Sequence, residues 1–260
     1  MGTDVGLEAA RVFIYANESI TLKPGSKIKS LIQNDCSESL DEDAPRLYQC
    51  INLKYNEDEP LGYESMIKYY NEQFDLFGTN KEARSSRTLD SMIFDKWRIY
   101  LLSLGTIDMQ ESVIQGPRVG LCSNELYLSD SRIDANGRGC PPDTGIGSTK
   151  RVAQCGGAGG AHGGRGGYGA SESSDESVIE QCKATFPKPY YFGKEANLEG
   201  SGGTSGDKEK STGGYGGGIV WLTTPRTTTL ENTTVASDGG WGRSDVPDQF
   251  GAGGGAGGSV

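Results

Sequence analysis

Glu125-Leu126-Tyr127-Leu128-Ser129-Asp130-Ser131-Arg132-Ile133-Asp134-Ala135-Asn136-Gly137 recurs along the chain, and its recurrence decides the fold. Nineteen residues upstream, Ile107, Met109, Ser112 and Ile114 match Leu126, Leu128, Ser131 and Ile133. Downstream, Leu230, Thr233 and Val235 match Leu128, Ser131 and Ile133. A repeat of about 19–22 residues, with strands too short to bury a face alone, predicts stacked turns of chain whose neighbours bury one shared core.

Working outward, Ile99 and Leu101 are answered 20 residues later by Val119 and Leu121. Each repeat therefore holds three short strands, which predicts an all-β fold, a right-handed parallel β-helix. Gly105, Gly116, Gly120 and Gly137 fall at or near its corners, where a positive φ or close backbone approach is needed. Arg11–Tyr15, Ser19–Leu22 and Lys27–Lys29 read as a first, less regular turn, with the last segment one residue out of register. The strong strand Gly218–Thr224 re-enters the stack. Between these parts, the helical spacing of Met66, Ile67, Tyr70 and Phe74 predicts one short helical insertion near residues 63–77, stopped at Gly78.

Glycine sets the second half apart. All but eight of the 40 glycines follow Arg132. Gly156-Gly-Ala-Gly-Gly-Ala-His-Gly-Gly-Arg-Gly-Gly-Tyr-Gly169 is built of Gly-Gly-X triplets, and triplets return at Gly213, Gly239 and Gly254 beside strand signals. Three residues per turn is the polyproline II period, so these excursions are expected to be ordered extended segments packed on one another rather than flexible linkers. The chain thus divides into β-helix turns with a helical insertion (1–137), a Gly-rich, Cys-containing excursion (138–217), and a returning turn with a second Gly-rich run (218–260). The final Gly-Gly-Ser-Val260 resembles the lead-in to a further strand. Val260 is accordingly expected to be an interior point of a longer polypeptide, or this end to stack on another chain in a filament.

The formal charge of −10 disfavours nucleic acid and anionic membrane surfaces as partners. Six cysteines, Cys36, Cys50, Cys122, Cys140, Cys155 and Cys182, form no CxxC pair and have one histidine beside them. That pattern disfavours zinc and fits disulfides in an oxidising compartment, with Cys36–Cys50 as a local bridge and the other four paired around the first Gly-rich excursion. The sequons Asn17-Glu-Ser and Asn232-Thr-Thr make Asn17 and Asn232 the glycosylation candidates.

The Asn/Asp-Gly turn, the run Gly159-Gly-Ala-His162-Gly-Gly-Arg-Gly166, Tyr215-Gly-Gly-Gly-Ile-Val and the terminal Gly-Gly-Ala-Gly-Gly-Ser259 are similar to the glycine-rich, pectin-lyase-like surface proteins of plants and protists. The resemblance covers Gly116 to Val260. It implies large extracellular or membrane-anchored proteins with right-handed parallel β-helices and no established catalytic role.

The expected function is a non-catalytic structural or adhesive module of an extracellular or cell-surface assembly. Its partners would be other copies, other chains of that assembly, or glycans, without cofactor or metal. The competing reading is a carbohydrate-active β-helix enzyme or glycan-binding module. A polysaccharide hydrolase would need paired carboxylates, and Asp108, Glu111, Asp130 and Asp134, on two stacked turns, are the candidates to converge. In the third copy, however, Asn232 and Ala236 stand at matching positions. His162 has no nucleophile motif near it. Tyr168, Tyr190, Tyr191, Phe192, Tyr215 and Trp241 are expected to pack inward, supplying the apolar area that glycine lacks.

Overall fold

A computed structural model describes residues 6–31, 36, 98–162, 165–171, 173–189, 199–206, 211–244 and 251–260. These residues are mostly strands in parallel sheets, with one helix. In chain order the strands are β1 (Gly6–Ala9), β2 (Val12–Ala16), β3 (Ser19–Leu22), β4 (Lys27–Ser30), β5 (Ile99–Ser103), β6 (Thr106–Gln110), β7 (Val113–Gln115), β8 (Arg118–Cys122), β9 (Glu125–Ser129) and β10 (Arg132–Asp134). After them come the helix α1 (Glu176–Lys183), then β11 (Ser211–Thr212), β12 (Ile219–Thr223), β13 (Thr227–Glu231), β14 (Thr234–Ala236) and β15 (Arg243–Ser244).

Consecutive strands enter different sheets, and each sheet collects equivalent strands from successive repeats. The orders are β12-β8-β5-β2, β13-β9-β6-β3 and β1-β4-β7-β10-β14. Every pairing within them is parallel. The register follows the apolar pattern: Leu22 pairs with Met109, Met109 with Leu128 and Leu128 with Leu230, while Ile28, Ile114, Ile133 and Val235 align in the third sheet. A slip of one residue would turn these side chains out to solvent, so the shared core itself holds the register. Ile99, Leu101, Ile107, Met109, Ile114, Leu126 and Ile133 are fully enclosed, each contributing about 1.5–3 kcal/mol by burial.

Hydroxyl side chains satisfy the corners between the second and third sheets. Ser131 Oγ donates to the Ser129 carbonyl at 2.8 Å and to the Met109 carbonyl of the preceding repeat at 3.2 Å. Thr233 repeats the arrangement on Glu231 and Leu128, and Ser112 on Gln110 and Leu22. A small hydroxyl residue two places after the strand thus bonds carbonyls that a buried corner would otherwise leave without partners.

Several sequence expectations are revised. Lys27–Lys29 is in register, with Ile28 beside Ile114; the extra residue is absorbed in the Pro24-Gly25 turn, where Gly25 takes φ 84°. Gly120 lies mid-strand between Tyr100 and Trp221 rather than at a corner. Gly137 does take a positive φ of 57°, and a Cβ on Gly105 would stand 2.0 Å from the Glu18 carbonyl oxygen. The helical insertion at 63–77 lies outside the described residues. The described helix, α1, falls within the Gly-rich excursion, where no helix is expected from apolar spacing.

The Gly-rich segments are ordered by hydrogen bonds to one another. Residues 251–258 lie at their centre. Gly253 and Ala256 donate to Thr204 and Ser201, Gly255 and Gly258 donate to Gly240 and Ser237, and the carbonyls of Gly253 and Ala256 accept from Gly214 and Gly217. The carbonyls of Gly251 and Gly254 accept from Gly157 and Gly160. Each neighbour is met again three residues later, which is why the sequence repeats in triplets. Contact is backbone to backbone: a Cβ on Gly157, Gly216 or Gly255 would stand 1.7–2.0 Å from a carbonyl oxygen of the next segment.

Candidate functional site

Two crosslinks tie the Gly-rich layer down. Cys36 pairs with Cys140, at a Cα–Cα distance of 5.3 Å, and Cys155 with Cys182, at 5.5 Å. The expected Cys36–Cys50 bridge is therefore overturned, and Cys140 reaches back to the first half instead of pairing within the excursion. The reason is stacking. Cys36 follows β4 and Cys140 follows β10, strands of the same sheet with only β7 between them. Proximity along the sequence was the weaker guide. Cys155–Cys182 does lie within the excursion as expected, and fixes α1 to the Gly-rich layer. Cys122 is disulfide-bonded; Cys50 lies outside the described residues. No described cysteine is free, which fits an oxidising compartment.

Asp175 caps α1, its carboxylate accepting from the Ser177 N–H at 2.9 Å and the Ser177 hydroxyl at 2.8 Å. Those bonds, the hydroxyl's first, hold the carboxyl below its ordinary range. The sequence signal for this helix was its ends, Asp175-Glu176 at the start and Lys183 at the finish, rather than its three apolar residues Val178, Ile179 and Cys182.

Polar side chains join the layers. Arg118 on β8 forms an ion pair with the buried Glu199, anchoring the segment 199–206 to the first sheet. Asp143 accepts from the Ser205 N–H at 2.7 Å and from its hydroxyl, and Ser201 Oγ accepts from the Gly147 N–H at 2.8 Å. Beside the Cys36–Cys140 bridge is an open cleft of about 440 Å³, with Ser148, Thr149, Lys150 and Arg151 on its wall.

The four acidic candidates do not converge. Asp108 is on the second sheet, in register with Thr21 and Tyr127. Asp134 is on the third, in register with Gln115 and Ala236, where its carboxylate accepts from Gln115 and the Asn136 N–H and pairs with Arg132. Glu111 and Asp130 occupy successive exposed corners. Among the described residues no group of three or more potential ligands could hold a metal ion.

Both sequon asparagines are exposed. Asn232 stands on the corner column of Glu111 and Asp130, and all three adopt a left-handed backbone, with φ of 48°, 44° and 48°. Asn17 lies in the turn between β2 and β3, where its amide oxygen accepts from Tyr15.

The aromatic expectation is corrected. Trp241 is 91% exposed, Tyr168 49% and Tyr215 39%, while Tyr190, Tyr191 and Phe192 lie outside the described residues. Segments packed backbone against backbone enclose small residues such as Ala158 and Ala161, each 1% exposed, and leave no space between them for a ring. Tyr168 instead meets Phe186 at 6.0 Å between ring centroids, with the Arg165 guanidinium 5.6 Å from the Phe186 ring.

No described helix is long and apolar enough to cross a membrane. Comparison with protein-family models, with curated proteins and with solved structures finds no match to this chain.

Proposed function

We propose that this chain is a non-catalytic structural or adhesive module of an extracellular or cell-surface assembly. Its architecture in this reading is a right-handed parallel β-helix, as the resemblance to glycine-rich, pectin-lyase-like surface proteins implies, carrying a lateral bundle of polyproline II-like segments. The observation that carries the reading is the bundle around residues 251–258, where backbone hydrogen bonds join one segment to four others at three-residue intervals. Such a layer spends its polar groups on itself and turns its few large side chains outward, which suits a rigid surface for contact. Disulfides and the exposed Asn17 and Asn232 favour the secretory pathway, with both asparagines as glycan carriers.

A second reading, glycan binding, is favoured by the exposed Trp241 and Tyr215, since aromatic faces stack on the apolar faces of sugar rings. Glycan-array binding together with product analysis on plant and microbial polysaccharides tests both readings. The structural reading expects no released oligosaccharide, and chain cleavage would sink it. Retention on a glycan that is lost in Trp241→Ala would establish the second.

A further inference from the structure

The cleft beside the Cys36–Cys140 bridge carries two cations, Lys150 and Arg151, in a chain whose net charge is −10, and neither forms an ion pair among the described residues. The Asp143 carboxylate, also on the wall, is already engaged by the N–H and hydroxyl of Ser205. Ser148 adds a buried hydroxyl with no hydrogen-bond partner among the described residues. Two unpaired cations and a spare hydroxyl surround about 440 Å³, a volume in the range of small-molecule pockets. That set of donors suits a small anion.

The same cleft reaches a disulfide. Cys36 lines it and is half-buried, whereas Cys122, Cys140, Cys155 and Cys182 are 1–5% exposed. Gly145, on the same wall, touches the bridge: a Cβ there would stand 2.9 Å from Cys140 Sγ, so any larger residue would crowd the sulfur. Thiol–disulfide exchange requires a thiolate to reach one sulfur of the bridge, so access decides which bridge reacts, and nearby cations favour the thiolate.

We propose that this cleft is a thiol-exchange site, at which Cys36 takes a small carboxylated thiol of net negative charge. Lys150, Arg151 and the Ser148 hydroxyl hold the carboxylate. The ligand's thiolate attacks Cys36 Sγ; an S–S bond forms between ligand and Cys36, the Cys36–Cys140 bond breaks, and its electron pair leaves on Cys140 Sγ, which takes a proton from water. One disulfide replaces another, so no outside oxidant or reductant is consumed. In the product the Gly-rich layer has lost its tie to the chain beyond β4, while the enclosed Cys155–Cys182 crosslink stays intact.

The probes are reduced glutathione, a carboxylated thiol, and 2-mercaptoethanol, a neutral one, each in excess over the 260-residue protein. Reaction at about pH 8, where thiols are partly ionised, is stopped with acid, and the products are alkylated and mapped as peptides. Glutathione should add first at Cys36, at about ten times or more the rate at which Cys155–Cys182 opens. Lys150→Gln combined with Arg151→Gln should slow glutathione by about tenfold and leave the rate with 2-mercaptoethanol unchanged. Ser148→Ala should raise the glutathione concentration that gives half the maximal rate. Circular dichroism checks that each variant is folded. Glutathione arriving first at Cys140, Cys155 or Cys182, or a double variant that slows both thiols alike or neither, overturns the proposal.

Discussion

Gly253 lies against Ala158 so closely that a Cβ on Gly253 would stand 1.8 Å from the Ala158 carbonyl oxygen. Gly214 is placed similarly, 2.0 Å from the Gly240 carbonyl oxygen, whereas a Cβ on Gly167 meets nothing within 4 Å. Neither backbone can yield without breaking hydrogen bonds to the next segment. Gly253→Ala and Gly214→Ala should each therefore destabilise the protein by about 2 kcal/mol or more, while Gly167→Ala stays within about 0.5 kcal/mol of wild type. Thermal unfolding followed by tryptophan fluorescence separates them. A flexible Gly-rich linker would tolerate all three alike.

Leu128 and Leu230 hold one pattern position in successive repeats but differ in burial, 1% against 48% exposed. Leu128→Ala opens a cavity between Met109 and Leu230 at a position that is itself enclosed and should cost about 2–5 kcal/mol. Leu230→Ala removes a side chain that is half in water already and should cost under about 1 kcal/mol. Urea denaturation of both variants tests this, and equal losses would mean that the outer face of β13 is covered in solution.

The difference between these two leucines marks how far the sequence could be read. Apolar residues at fixed spacing announced the strands, their three-sheet rotation and the partners of Leu128, because a core shared between repeats cannot tolerate a slip. Pattern alone did not show which repeat is outermost. The register of Ile28 was concealed by one extra turn residue at Pro24-Gly25, a change that loops absorb freely. Order in the Gly-rich runs was legible in their triplets, since period-three bonding needs period-three glycine. The outward direction of Tyr168 and Trp241 was not, because it depends on how closely bare backbones approach. The Cys36–Cys140 bridge was hidden for a related reason: it joins the chain beyond β4 to the chain beyond β10, strands of one sheet with β7 between them, across 104 residues of sequence.

That separation has a thermodynamic consequence. In the chain-entropy account a crosslink stabilises in proportion to the logarithm of the loop it closes. Cys36–Cys140 closes 104 residues and Cys155–Cys182 closes 27, so their contributions should be about 4.7 and about 3.5 kcal/mol. Paired serine variants should rank in that order by denaturant unfolding. Peptide mapping without reduction should recover both linkages, and a Cys36–Cys50 peptide would contradict the stacking argument.

Acid should loosen α1 before it affects the sheets. The bonds from Ser177 hold the Asp175 carboxyl below its unfolded value of about 3.9. A depressed carboxyl contributes stability that is complete above the unfolded pKa and is lost as pH falls through the lower, folded one. Helix signals near Glu176 should therefore weaken below about pH 4. Asp175→Asn keeps a capping acceptor without the charge, so it should retain the helix and lose this pH dependence. Hydrogen exchange at Ser177 and Val178 across the acid range reports the change.

Glu111, Asp130 and Asn232 turn successive corners with left-handed backbones, yet they are not equally suited to that task. Asparagine and aspartate visit the region readily because their short side chains bond locally, while glutamate has no such compensation and carries a penalty of about 1–2 kcal/mol. The N–H groups of Glu111 and Asp130 donate to Ser129 and Glu231 at 3.0 and 2.9 Å, so the conformation is fixed by the ladder and cannot relax. Glu111→Gly or Glu111→Asn should consequently stabilise the protein by about 0.5–1 kcal/mol, and Asn232→Val should destabilise it by about 1–2 kcal/mol. Asp130→Asn should be nearly neutral. The ranking is read from melting temperatures of the single variants. Stabilisation by Glu111→Lys as large as by Glu111→Gly would assign the gain to removing charge beside Asp130 rather than to relieving the backbone.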